Sequence, residues 1–105
     1  MAKETVANLD WNHLGFEYHD LPYSFNEEFK DGQWQGGTLT ESSTLTLSEA
    51  AEVLHYGQEV FEGLKAYRTK DGHINLFRPE ENAKRLANSA KRMLMEPYPE
   101  DKFVE

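Results

Sequence analysis

The chain has 105 residues, 38% of them hydrophobic and 29% charged, which is typical of a folded globular chain rather than a disordered one. Its formal net charge is −8 without any Lys/Arg run, so we expect no nucleic-acid partner. Cysteine is absent, which excludes disulfides and thiol chemistry, and no apolar run is long enough to span a membrane. Because the N-terminus also lacks the apolar stretch of a signal peptide, we expect one small cytoplasmic domain.

The first half of the chain is predicted to be extended. Residues 1–13 show little periodicity and are predicted to be a flexible lead-in. Residues 14–29 are rich in aromatic side chains, which favours a strand pair or an extended segment. Asp31-Gly32 is a hairpin signal, and the alternation of Thr and Leu over residues 39–47 predicts a short strand.

A helix is predicted to begin at Ser48, a suitable N-cap with Glu49 in the first turn. Apolar residues then recur at helical spacing as far as Phe61. Gly57 lies on this apolar face, where it either breaks the helix or allows another part of the protein to approach closely.

Residues 63–78 form the clearest predicted hairpin. A two-residue loop at Asp71-Gly72 would pair Tyr67 with Leu76 and Ala66 with Phe77. Both faces of this hairpin would be partly apolar, so each needs cover from another layer.

The segment from Pro79 to about Leu94 is predicted to be a helix. Its apolar stripe consists of Ala83, Leu86, Ala87, Ala90, Met93 and Leu94. Arg85 lies roughly opposite this stripe, so it is either part of a solvated face, which the residues alone favour, or an anion ligand for a partner domain. The segment 97–105 predicts the start of a further helix, and its shortness suggests a cut within an element.

Isolated residues indicate little chemistry. The chain has no Gly-rich phosphate loop and no Ser/His/Asp order typical of a hydrolase. Its four histidines lack metal-ligand spacing, so no metal site is expected.

A longer compound motif is more specific. Residues 55–68 read HYGQEVFEGLKAYR, residues 76–85 read LFRPEENAKR, and residues 89–95 read SAKRMLM. Together they resemble the small domain of the branched-chain amino acid aminotransferases, over residues 14–105. The resemblance implies the small N-terminal α+β domain of a fold-type IV pyridoxal-phosphate enzyme. Such a domain has an antiparallel sheet with flanking helices, and the cofactor lies between it and a larger C-terminal domain.

The resemblance also implies roles for individual residues. Arg85 matches the arginine that binds the phosphate of pyridoxal 5'-phosphate, for which a guanidinium is well suited. Tyr56 matches a tyrosine that reaches the active site of the other subunit of a homodimer, and Phe61 and Tyr18 match aromatic walls of the substrate pocket. Lys65 aligns with a non-catalytic basic residue.

By the same resemblance, the parent enzyme transfers the amino group of leucine, isoleucine or valine to 2-oxoglutarate. Its Schiff-base lysine would lie in the C-terminal domain beyond Glu105, so this chain contains no catalytic residue and is not expected to be active alone. One alternative is another class IV enzyme, such as a D-amino acid aminotransferase or aminodeoxychorismate lyase. A different class of alternative is a non-catalytic module that self-associates or binds a partner.

Overall fold

The computed structural model describes residues 10–13 and 15–105. It divides the chain into two compact units, one ending at Leu47 and the other running from Ser48 to Glu105. Antiparallel ladders and short helices occur together, as the predicted α+β class requires. Most of the predicted lead-in, residues 1–9, lies outside the described residues, and a single 3-10 turn occupies Trp11–His13.

The first unit is a nested pair of antiparallel ladders. Its strands are β1 (Ser24–Asn26), β2 (Phe29–Lys30), β3 (Gln33–Trp34) and β4 (Thr38–Thr40). Strand β1 pairs with β4, and β2 pairs with β3. Asp31 and Gly32 connect β2 to β3 with φ values of 53° and 81°, so the predicted hairpin is confirmed as a tight two-residue loop with both residues left-handed. The rings of Phe29 and Trp34 meet edge to face across this ladder, with centroids 5.3 Å apart.

The strand predicted over residues 39–47 is shorter than expected, since β4 ends at Thr40. Beyond it, hydroxyl groups accept hydrogen bonds from the backbone: Ser42 N–H donates to Thr40 Oγ1 at 3.1 Å, and Thr44 N–H donates to Ser42 Oγ at 3.3 Å. Such local bonds compete with a ladder. The prediction was therefore wrong for residues 41–47.

The helix predicted from Ser48 to Phe61 is also shorter, because α1 spans only Glu52–Tyr56. Ser48 caps a preceding turn instead, where its Oγ accepts the Ala50 N–H at 3.1 Å. Gly57 ends α1 in the left-handed conformation, with φ 63° and ψ 32°. No described atom lies within 4 Å of the position that a Gly57 side chain would take, so this glycine breaks the helix rather than admitting a neighbour.

Strands β5 (Tyr67–Arg68) and β6 (Ile74–Asn75) form the hairpin of the second unit. The register pairs Tyr67 with Asn75, one residue away from the predicted pairing with Leu76. Thr69 N–H donates to the His73 carbonyl at 2.7 Å, so the loop contains three residues and not the predicted two. A shift of one residue moves each side chain of one strand to the other face, which places Tyr67 on the same face as Asn75 instead of Leu76.

Helix α2 (Pro79–Arg92) is confirmed within two residues of its predicted end, and α3 (Glu100–Val104) confirms the predicted final helix. The two helices contact each other. Within the part of the chain that the structure describes, the buried apolar residues are Ala83, Ala87 and Ala90, which belong to the predicted stripe of α2. Leu94 does not bury, because it follows the helix end and is 90% exposed. Among the described residues, no helix has the length and apolar character needed to cross a membrane.

Candidate functional site

An ion pair joins α2 to the segment that precedes β5. Arg85 Nη2 donates to Glu62 Oε1 at 2.6 Å, and Arg85 Nε donates to Glu62 Oε2 at 3.2 Å. The contact is therefore bidentate, the strongest arrangement of a guanidinium and a carboxylate. The Glu62 side chain is 12% exposed, whereas that of Arg85 is 61% exposed. The pair thus has one sheltered partner and one that faces solvent.

Asn82 holds the carboxylate from the other side. Its Nδ2 donates to Glu62 Oε1 and to the Gly63 carbonyl, both at 2.8 Å. Asn82 is only 7% exposed, so both hydrogen bonds are made by a buried amide. Because Asn82 and Arg85 are three residues apart on α2, one helix face supplies both contacts to Glu62.

These contacts change the acidity of both charged groups. Hydrogen bonds from Arg85, with its positive charge and a further bond from Asn82, lower the pKa of the Glu62 carboxyl below its ordinary value. The same pairing raises the pKa of Arg85. Both groups are therefore ionised at neutral pH.

Arg85 also lines a cavity of about 760 Å³ within the second unit. Helix α2, the residue before it and the β5–β6 hairpin region form its walls, which consist of Gly63, Leu64, Lys65, Tyr67, Phe77, Arg78, Glu81, Asn82 and Arg85. Three cationic side chains and one carboxylate line these walls, although the chain as a whole carries a net charge of −8. The cavity therefore favours an anionic ligand.

Arg78 is held in an unusual backbone conformation at the entrance to α2. It has φ 44° and ψ 56°, and Pro79 follows it as the first residue of the helix. A non-glycine residue seldom adopts this left-handed conformation. Its Nη2 lies 3.7 Å from Glu81 Oε1, and the side chain is 69% exposed. Arg78 thus adds a second guanidinium to the cavity wall.

Similar sequences occur in proteins that are named branched-chain-amino-acid aminotransferases or transaminases. No family model matches the chain. The branched-chain-amino-acid aminotransferase of Haemophilus influenzae is 55% identical over 94% of the chain, and that of Helicobacter pylori is 50% identical over 95%. The branched-chain-amino-acid transaminase 1 of Bacillus subtilis is 44% identical over 91% of the chain. The chain is homologous to part of the branched-chain-amino-acid aminotransferases. It spans only 29%, 29% and 27% of the length of these three relatives, respectively.

The residues that the aminotransferase resemblance singled out lie in both units. Arg85 lies on α2 at the cavity, and Tyr56 is the last residue of α1, 83% exposed. Phe61 follows α1 in an irregular segment and is 90% exposed. Neither Tyr56 nor Phe61 lines the cavity. Tyr18 belongs to the first unit, where it is 79% exposed and its hydroxyl lies 3.5 Å from Asp20 Oδ1.

Sequence reasoning did not single out Glu62, Asn82 or Arg78 as site residues. The helical spacing of residues 82 and 85 is a usable signal, because residues three or four apart on a helix share a face. Glu62 gives no such signal, since it precedes Asn82 by 20 residues and no local period relates them. Only the folded chain brings the Glu62 carboxylate to Arg85.

Proposed function

We propose that this chain is the small N-terminal domain of a fold-type IV branched-chain-amino-acid aminotransferase, with residues 14–105 as the domain. The observation that carries the proposal is the 55% identity to a branched-chain-amino-acid aminotransferase over 94% of the chain. The whole protein would transfer the amino group of leucine, isoleucine or valine to 2-oxoglutarate. It would act as a homodimer in the cytoplasm.

The residues of the cavity fit a phosphate-bearing cofactor. Arg85 gives Nε and one N–H of Nη2 to Glu62, and its Nη1 makes no hydrogen bond with any residue that the structure describes. A guanidinium carries five N–H donors, so a second edge remains for a phosphate. Arg85 would hold the phosphate of pyridoxal 5'-phosphate, and Lys65 and Arg78 would add positive potential. The bound cofactor would supply the electron sink for amino-group transfer.

The exposed aromatic residues suit the substrate. Phe61 and Tyr18 would form apolar walls against an aliphatic side chain, for which dispersion and burial supply the affinity. Tyr56 would reach the active site of the other subunit. The residue that bonds covalently to the cofactor would lie in the rest of the protein. The residues of this chain would help to hold and orient the cofactor in the whole protein, but the chain alone would bind it weakly or not at all and would transfer no amino group.

The direct test is an assay of the whole protein. Leucine and 2-oxoglutarate with added pyridoxal 5'-phosphate should yield glutamate and 4-methyl-2-oxopentanoate. Activity on D-alanine without activity on leucine would instead support a D-amino acid aminotransferase. The 105-residue chain, assayed beside it, should form no glutamate. Turnover by the short chain would contradict the absence of a catalytic residue in it.

A further inference from the structure

The contacts of Arg85 raise the question of what the paired carboxylate contributes. Half-exposed arginine side chains usually sample many rotamers, since four single bonds separate the backbone from the guanidinium. In this structure two hydrogen bonds to one carboxylate fix both the position and the plane of the Arg85 guanidinium. The carboxylate is itself fixed by the buried amide of Asn82. The buried amide of Asn82, the Glu62 carboxylate and the Arg85 guanidinium are therefore joined by consecutive hydrogen bonds that end at the cavity.

The geometry of the pair leaves the cavity-facing part of the arginine available. Glu62 is bonded to Nε and Nη2 and does not line the cavity, whereas Arg85 does. The donors that remain are those of Nη1 and the second N–H of Nη2. Two adjacent donors in one plane match two oxygens of a phosphate. The ion pair with Glu62 thus orients these remaining donors without occupying them.

We propose that Glu62, supported by Asn82, is a positioning residue that orients Arg85 toward the phosphate of the cofactor. This inference rests on the proposed function, because it takes the phosphate to be the ligand of Arg85. Glu62 does not contact the ligand in this arrangement. Glu62 acts by holding the Arg85 guanidinium in its ligand-binding orientation before the ligand arrives. The Arg85 side chain therefore loses less conformational entropy on binding.

Simple electrostatics predicts the opposite effect, which makes the proposal testable. A carboxylate next to an anion site repels the anion, so its neutralisation should tighten phosphate binding if charge alone matters. If Glu62 orients Arg85, neutralisation should weaken phosphate binding, because the arginine is released from its fixed position. The sign of the effect therefore distinguishes the two roles.

The experiment uses the whole protein freed of its cofactor, in wild-type form and as Glu62→Gln. Affinities for pyridoxal 5'-phosphate and for pyridoxal, which lacks the phosphate, are measured by tryptophan fluorescence. The affinity for pyridoxal 5'-phosphate divided by the affinity for pyridoxal measures the contribution of the phosphate contact. We expect Glu62→Gln to reduce this ratio about five- to tenfold, the range of one charge-assisted hydrogen bond discounted for solvent exposure, with pyridoxal affinity unchanged.

Glu59→Gln is the matched control. It removes the same charge from an exposed carboxylate three residues earlier, and it should leave the ratio within about twofold. Arg85→Lys provides a second test, because Glu62→Gln should have no further effect on the ratio once the guanidinium is gone. Equal loss of both affinities in Glu62→Gln would overturn the positioning role in favour of a general structural one. An unchanged or higher ratio would overturn it as well.

Failure of the proposed function looks different. If the wild-type protein bound pyridoxal 5'-phosphate and pyridoxal with equal affinity, Arg85 would not bind the phosphate. The proposed function and the role of Glu62 would then both be wrong. A wild-type preference that persists in Glu62→Gln would leave the proposed function intact and would overturn only the role of Glu62.

Discussion

At the scale of single residues, the Glu62 carboxyl is the group whose acidity reports most directly on the site. Arg85 donates two hydrogen bonds to it, and these lower its pKa below the ordinary value of 4.5. The folded form therefore holds its proton less tightly than the unfolded form does. The resulting stability is fully present above pH 4.5 and is lost as the pH falls through the lower pKa of the folded state.

We expect the ¹³C resonance of the Glu62 carboxyl to titrate with a midpoint below that ordinary value. Arg85→Gln should raise the midpoint, because it removes the largest cause of the shift. Glu59→Gln, which removes an exposed carboxylate of the same segment, is the control and should leave the Glu62 midpoint in place. A Glu62 midpoint that Arg85→Gln leaves in place would show that the pair does not persist in solution.

Two glycines of the second unit allow a backbone effect to be measured apart from packing. Gly57 has φ 63°, whereas Gly63 does not have a positive φ, and neither has a described atom within 4 Å of the position that an added Cβ atom would take. Gly57→Ala should lower the free energy of unfolding in urea by about 1 kcal/mol, since alanine is strained in the left-handed conformation. Gly63→Ala should leave it unchanged or raise it by about 0.5 kcal/mol. Equal effects of the two substitutions would contradict the assigned end of α1.

At the scale of elements, the end of α2 is closed by a motif that usually requires glycine. Met95 N–H donates to the Ala90 carbonyl at 2.8 Å, and Leu94 N–H donates to the Lys91 carbonyl at 3.1 Å. These are the two hydrogen bonds of a Schellman motif, with Leu94 at the left-handed position at φ 58°. Its side chain is 90% exposed and so gains little from burial.

Leu94→Gly should therefore stabilise the end of α2. Removal of the strained side chain should outweigh the added chain entropy, with a net gain of about 0.5 kcal/mol in the free energy of local opening. Hydrogen exchange of the Met95 amide measures this directly, and the exchange should slow. Leu94→Ala keeps the Cβ atom and should show little change. Faster exchange in Leu94→Gly would mean that the leucine contributes a contact that offsets its strain.

The two Asp-Gly hairpins illustrate what local sequence can predict. Asp31-Gly32 gives the predicted two-residue loop, but Asp71-Gly72 belongs to a three-residue loop. In the second case the Thr69 hydroxyl accepts the His73 N–H at 3.0 Å and donates to the Asp71 carboxylate, which also lowers the pKa of Asp71. Side-chain bonds across the loop therefore decide its length, and the dipeptide alone does not determine them.

The two main helices also differ in how well the sequence predicts their bounds. Helix α2 was predictable because a proline, two acidic residues and a continuous apolar stripe all agree at its start and along its face. Helix α1 was not, since the apolar spacing continues past the glycine that ends it. Within the site, Arg85 was indicated by family resemblance, but its partner Glu62 depends on contacts between distant segments. The periodicity of the local sequence does not indicate contacts of this kind.

At the scale of the whole molecule, apolar exposure is the dominant feature of the described residues. The buried apolar residues are three alanines, whereas many large hydrophobic side chains are more than one-third exposed. Phe61 and Phe77 are 90% and 83% exposed in the second unit alone. A surface of this kind indicates an interaction site, because monomeric proteins seldom expose extensive apolar area.

We therefore expect the 105-residue chain to self-associate and to bind the dye ANS. Sedimentation velocity should show species larger than a monomer whose fraction rises with concentration, since burial of apolar area drives the association. Phe77→Ser should reduce both the association and the ANS fluorescence, because it removes one of the most exposed aromatic rings of the second unit. Lys91→Ser, an exposed polar position on α2, is the control and should leave both unchanged. A chain that stays monomeric at all concentrations and does not bind ANS would contradict this account, since its apolar side chains would then have to be buried against one another.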